Sequence, residues 1–263
     1  MNSSTARKLF AGLNLPMIYF QCADGTPTVV HSHTEPCTDE QPAKFELVVH
    51  YLSKQGDWDI ALRHDARSRS TTVFWALDSR SDVDGLLEDL KSFQNYSFHP
   101  MVIPCIMFSS TFAGGLKRRH SIKQKMALLE EKVRTIHRRA SQWNDGDAAF
   151  HASQLWLEQP EDVEVLSELL HACRREVTSR EGQYESWRDL HASIQEGFAY
   201  TARVMADMPH TTFLKAHSEL QQWFNLTWRR LESLRARDMD HVTRIDNVAV
   251  MVGTCSTNGL LVH

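Results

Sequence analysis

Little in this chain ties it to a membrane, a disulfide framework or a familiar reaction. No run of roughly 18 apolar residues occurs in its 263 positions, so the sequence offers no transmembrane helix. The nearest approaches, Met101–Phe108 and Val248–Val252, are too short to span a bilayer. The five cysteines (Cys22, Cys37, Cys105, Cys173 and Cys255) are odd in number and irregular in spacing. That pattern makes no disulfide framework and fits a reducing, cytoplasmic location. The N-terminal segment lacks a secretory signal, because Pro16 breaks its one short apolar patch. Arg7 and Lys8, with no acid beside them, leave a transit-peptide reading open. There is no Gly-rich phosphate loop, no G-x-S-x-G elbow and no H-E-x-x-H helix. No reaction is announced, and the chain is expected not to be an enzyme. A net charge of −4 argues against nucleic acid as a partner for the whole molecule. Charge itself vanishes at one place: Val248 to His263 contains no Lys, Arg, Asp or Glu.

What is present reads as an ordinary globular composition, 42% hydrophobic and 24% charged. Residues 1–44 carry Pro16, Pro27, Pro36 and Pro42 and an Asp24-Gly25 turn, which predicts a loosely ordered leader. FELVVHY (45–51), WDIALRH (58–64) and TTVFWAL (71–77) are short and rich in β-branched and aromatic residues. Turn signals at Gln55-Gly56-Asp57 and Asp65–Ser70 separate them. They predict three strands, antiparallel because the connections are short. Ser81-Asp82-Val83-Asp84 offers an N-cap and early acids to a helix over about 82–94, with Leu86, Leu87, Leu90 and Phe93 on its apolar face. His99–Ala113 is apolar around Pro100 and Pro104, and Gly114-Gly115 punctuates its end.

Beyond Gly115 the pattern is helical. Ile122, Met126, Leu129, Val133, Ile136, Ala140 and Trp143 alternate spacings of four and three, a heptad seam that stops at Asn144-Asp145-Gly146-Asp147. Val163, Leu166, Leu170, Cys173 and Val177 form a second stripe. Leu190, Ile194, Gly197, Thr201, Val204 and Met208 form a third, closed by Pro209. Leu220, Phe224, Thr227, Leu231 and Leu234 form the last. Past Leu234 the same positions turn polar, at Asp238 and His241, before Ile245. The seam is therefore expected to fade toward the end of a stalk-like helix at about 213–247. The fold class expected is α+β, a small mainly antiparallel sheet with helices followed by an elongated, coiled-coil-like helical module. Its divisions fall at 1–44, 45–115, 116–247 and a divergent uncharged tail at 248–263.

Candidate sites are few. Cys22, His31, His33 and Cys37 are zinc-ligand types, but C-x8-H-x-H-x3-C matches no familiar finger spacing. A polar, Pro-rich leader explains them as well. The helix 117–143 is strongly basic: Lys117, Arg118, Arg119, Lys123, Lys125, Lys132, Arg134, Arg138 and Arg139 face only Glu130 and Glu131. It could meet an anionic partner or surface, or acidic helices of its own or another chain, or simply be solvated. Carboxylate pairs at Asp82/Asp84, Glu88/Asp89 and Glu161/Asp162 fit helix starts and solvated helix faces better than catalysis. Trp58, Trp75, Trp156, Trp187, Trp223 and Trp228 lie in or beside apolar stripes, where core packing is the default.

Three segments together carry a resemblance. ALRHDARSRSTTVFWAL (61–77) is a strand, a basic turn and a strand. DLKSFQNYSFHPMVIPCIMF (89–108) runs from an acidic helix end through His-Pro into an apolar stretch. NLTWRRLESLRARDMDHVTRIDN (225–247) is a long amphipathic helix. This order resembles the fungal CorA-like divalent-cation (magnesium) transporter family. The resemblance implies a cytoplasmic α/β domain leading into long helices, the last a stalk, with chains assembling around a pore. It implies a homo-oligomer or pairing with full-length homologues, and Mg2+ as the only cofactor to consider; no site residue carries over. The two membrane helices and the Gly-Met-Asn pore signature of that family are absent from this sequence. The expectation is a truncated, soluble domain with a regulatory, oligomerising or vestigial role in cation transport, not a transporter by itself. The alternative is a helical interaction scaffold that uses its basic helix.

Overall fold

The computed structural model describes residues 3–22, 28–35, 43–51, 57–77, 83–141, 160–205 and 211–260. The fold is α+β. In chain order the elements are α1 (Ser3–Gly12), α2 (Tyr19–Cys22), β1 (Val29–Glu35), β2 (Lys44–Tyr51), β3 (Trp58–Asp65), β4 (Ser70–Leu77) and α3 (Val83–Ser92). A 3-10 turn (Gln94–Tyr96) then precedes α4 (Val102–Ser141), α5 (Pro160–Met205) and α6 (Thr211–Leu260). The chain divides into two compact units, one of residues 1–114 with 185–229 and one of 115–184 with 230–263.

In the first unit the four strands form an antiparallel meander in the order β1-β2-β3-β4. The expected strands appear within a residue of their predicted bounds. Short connections force adjacent strands to run antiparallel, and the β3–β4 turn shows how. Asp65 Oδ1 accepts the backbone N–H of Arg67 at 2.8 Å and of Ser68 at 3.0 Å. Arg69 then takes the left-handed conformation at φ 51°, which closes the turn. These N–H donors hold the Asp65 carboxyl below its usual range.

Both sheet faces are covered, which is why burial runs through three consecutive residues at the centre of β2 (Leu47, Val48, Val49) and of β3 (Ile60, Ala61, Leu62) rather than alternating strictly. On one face Val48 and Ala61 pack with Phe10, Leu15 and Cys22, and Val29 and Phe74 flank them. On the other face Phe45 stacks on Tyr200 of α5, ring centroids 5.6 Å apart. The Tyr200 hydroxyl donates to Ala43 O at 3.0 Å, and Trp187 Nε1 donates to Tyr51 Oη at 3.0 Å. Ser32 and Thr34 donate to Glu196 at 2.6 and 2.8 Å. Close approach of α5 depends on Gly197, where a Cβ would overlap Met101 Sδ and come within 2.9 Å of Phe45 Cζ.

The leader expected at 1–44 contains α1, α2 and β1. Its prolines suggested loose order, but Phe10 and Leu15 gain a buried site on the sheet, and tertiary burial overrides local composition. α4 runs through Gly114-Gly115 without a break in the helix, although the division between the two units falls between these glycines. Two helical glycines cost about 1 kcal/mol each, well within what the flanking apolar face supplies. Pro104 sits in the first turn of α4, where its missing N–H would have had no helical partner anyway. The last helix likewise continues beyond Asn247 to Leu260.

In the second unit the heptad positions of three long helices meet. Ile122, Met126 and Leu129 of α4 pack with Leu166, Cys173 and Val177 of α5 and with Ile245 and Val248 of α6. Val248, the first residue of the uncharged tail, is therefore a core residue. Among the described residues no helix is long and apolar enough to cross a membrane.

Substituting Gly197 by Val is expected to lower stability by about 1–3 kcal/mol through overpacking against Met101 and Phe45. A urea titration followed by circular dichroism measures it. A wild-type midpoint would show that α5 does not need this close approach.

Candidate functional site

The polar positions of the α6 seam are buried. Leu231, Leu234, Asp238, His241, Ile245 and Val248 keep the four-and-three spacing, and all six are inside. Asp238 is only 3% exposed. A buried carboxylate needs charge and hydrogen bonds at close range, and α5 supplies both from residues four apart. Arg180, itself 5% exposed, donates from Nη1 to Asp238 Oδ2 at 2.5 Å. The Tyr184 hydroxyl donates to the same oxygen at 2.8 Å. Arg119 of α4 brings Nε to 3.8 Å from Asp238 Oδ1. Burial, then the negative Asp238, push the Tyr184 phenol up and keep it a neutral donor. Arg235 caps the cluster, its guanidinium 6.0 Å from the Tyr184 ring centroid and 2.6 Å from Glu181.

Beside this cluster a cleft of about 730 Å3 opens between α4 and α6. Arg119 and Lys123 enter it from α4; Arg237, His241 and Arg244 enter it from α6. Those spacings, i and i+4 on one helix and i, i+4 and i+7 on the other, place each set on a single face. Glu130 and Asp240 are the acids in the lining, and Glu130 is taken by Arg244. Burial, and after it Arg244, hold the His241 imidazole below its ordinary value, so the ring is neutral near pH 7.

The basic helix is partly spent within the chain. Lys125 pairs with Glu176 at 2.7 Å and Arg134 with Glu131 at 3.1 Å, while Arg119 and Lys123 face the cleft. The side chains of Lys117, Arg118, Arg138 and Arg139 lie outside the described residues. The Cys/His set does not assemble in what is described. Cys22 is a core residue beneath the sheet, His31 and His33 lie on β1, and Cys37 lies outside the described residues. No group of three or more His, Cys, Asp or Glu suited to a metal occurs among the described residues. Asp84 and Glu88 are exposed on α3 and Asp89 is half-buried; Asp82 and the side chains of Glu161 and Asp162 are not described. Trp58 and Trp187 are buried; Trp223 packs on Phe93 with centroids 4.6 Å apart. Trp156 and Trp143 lie outside the described residues.

The first unit holds a second polar constellation, also missed by motif reading. His99 Nδ1 accepts the Met101 N–H at 3.1 Å, so the proton of this neutral ring sits on Nε2 and points at His217 Nδ1, 3.0 Å away. Phe213 stacks on His99 with centroids 5.3 Å apart. Burial, then the neighbouring His217, take the His99 imidazole down to about 3. His191, stacked on Trp228 at 4.2 Å, is taken by burial to about 4. On the opposite sheet face Asp59 accepts the Tyr19 hydroxyl at 3.0 Å and contacts His50 Nδ1. Each of these rings is a packing element with a satisfied or apolar surround.

No family model matches the chain, and neither does any curated protein or any solved structure.

Two outcomes are expected. Asp238→Ala leaves Arg180 buried without its partner and should cost about 3–5 kcal/mol, whereas the double change Arg180→Met with Asp238→Leu should recover most of that loss. Urea melts of both variants test this, and equal losses would rule out the buried-charge account. The histidines set a pH dependence. Unfolded imidazoles take up a proton near 6.5, while His99 and His191 in the fold hold off to about 3 and about 4. Between those values the unfolded chain binds more protons, so stability is full above about 6.5 and falls as the pH drops. Thermal melts between neutral pH and pH 4 measure the decline, and His191→Phe should make it shallower.

Proposed function

We propose that this chain acts as a CorA-like cytoplasmic-type domain that self-associates or pairs with full-length homologues, in a regulatory or vestigial role related to divalent-cation transport. The observation that supports this reading is the order and size of the elements. An antiparallel meander and a short helix lead into helices of 40, 46 and 50 residues, the sequence of parts that the resemblance implies. Self-association cannot use the α6 seam itself, since Leu231 and Leu234 are buried within the chain. It would use outward residues of α6 such as Met239 and Val250, which are exposed and lie on one helix face. Sedimentation velocity of the full chain, with and without magnesium, is the test. The expected result is an oligomer that magnesium strengthens; a monomer under both conditions overturns the reading.

A second reading has its own observation. The cation-lined cleft between α4 and α6 favours a helical interaction scaffold that holds an acidic partner on its basic helix. It predicts capture of poly-glutamate at low salt that fades as salt rises, and that Lys123→Glu with Arg237→Glu abolishes. Capture unchanged in that double variant excludes the cleft as the docking face.

A further inference from the structure

At the cleft of the second unit lie polar groups that make no hydrogen bond within the described chain. His241 is 7% exposed and lines the cleft, and its Nδ1 is buried without a hydrogen-bond partner. Arg119 Nε makes no hydrogen bond either: it forms a long ion pair, 3.8 Å, with Asp238 Oδ1, an acceptor that is itself buried without a hydrogen-bond partner. Leaving such groups unsatisfied costs stability. Native structures rarely carry that cost without a reason, and a missing ligand or water is a common one.

The charge around them points to the kind of ligand. Lys123, exposed and four residues from Arg119, pairs with no described carboxylate, and neither does Arg237, four residues before His241. Glu130 is neutralised by Arg244, and Asp238 lies behind the wall, held by Arg180 and Tyr184. Asp240 is then the one lining acid without a described cation partner, set against Arg119, Lys123 and Arg237. Net of Asp240 the three cations leave a surplus of two charges, of which a carboxylate ligand would balance only one. A phosphate ester brings about −1.5 to −2 and three strong acceptor oxygens, which can be shared among separate donors. Leu116 and Met126, also in the lining, offer an apolar surface for the organic part of such a molecule. The volume of about 730 Å3 falls within the usual range for small-molecule sites.

We propose that this cleft binds a phosphorylated small molecule or headgroup, its phosphate oxygens met by Arg119, Lys123, Arg237 and, in its Nδ1-protonated tautomer, His241. The proposal is independent of the transport-related reading and competes with an acidic protein segment for the same face.

The test uses the full chain with inorganic pyrophosphate in solution, and phosphatidylcholine vesicles with and without phosphatidylinositol 4-phosphate. Lys123→Gln with Arg237→Gln removes two exposed cleft cations, and Arg188→Gln with Arg230→Gln removes the same charge from exposed positions outside the cleft lining. Melting curves check that each variant folds. If pyrophosphate binds by calorimetry, weakens roughly tenfold or more in the cleft variant and is unchanged in the control, a soluble phosphorylated ligand is supported. Capture by the phosphoinositide vesicles alone, lost in the cleft variant and kept in the control, supports a headgroup. Binding of neither probe, or equal loss in both variants, overturns the proposal. So does a cleft that takes poly-glutamate and neither phosphate probe, an outcome that belongs to the scaffold reading.

Discussion

A carboxylate taken out of water must be met by charge and hydrogen bonds, and Asp238 is met by Arg180, Tyr184 and Arg119. This one requirement ties α4, α5 and α6 together in the second unit. An apolar side chain at the same seam position could pack against many neighbouring registers. Asp238 favours the register that brings Arg180 and Tyr184 to the same oxygen, since any other would leave its charge buried without them. The buried ion pair is thus better understood as a specifier of helix register than as a net source of stability. The apolar contacts on one side of it, Ile245 and Val248 against Ile122 and Leu166, supply the burial that holds the register once chosen.

The cleft follows from the same arrangement. Because Asp238 and His241 occupy seam positions, the cations that accompany them on α4 and α6 are carried to the edge of the core and not to the far solvent face. Arg119 bridges the two environments, its guanidinium near Asp238 on one side and the cleft on the other. The proposed anion site and the helix register thus share one side chain.

Local pattern made the sheet and the helices legible. Three strands, their antiparallel sense, α3 and the long helical stretches follow from periodicity and turn residues, since those depend on neighbours in sequence. What was hidden depended on distant neighbours. The prolines around α1 and β1 read as a leader because nothing local shows that Phe10 will be buried under Val48 and Ala61. Asp238 and His241 read as the end of a seam because a polar residue at a heptad position looks like exposure until Arg180 is known to lie opposite. One signal could have been used: the four-and-three spacing continues unbroken from Leu234 to Val248, and an unbroken period outranks two polar residues within it. The uncharged tail misled for the same reason, since a change in composition at Val248 is no change in helical period. The CorA-like resemblance rests on order and texture, which many sequences share, and an element order is weaker ground than a matched motif.

The buried polar groups share one further property. His99 and His191 are held uncharged, and the phenols of Tyr19, Tyr184 and Tyr200 are pushed up and stay protonated as donors. These are the forms that the same groups favour in neutral water. Above the range where unfolded imidazoles titrate and below that of the phenols, folding at those sites neither takes up nor releases protons, so the balance between folded and unfolded chain is level there. Acid tilts it through the imidazoles and alkali through the phenols, because in each case only the unfolded chain is free to change its charge. The packing that keeps these rings dry therefore also sets, for these five groups, a span of pH between the imidazole and phenol ranges across which they leave the folding balance unchanged.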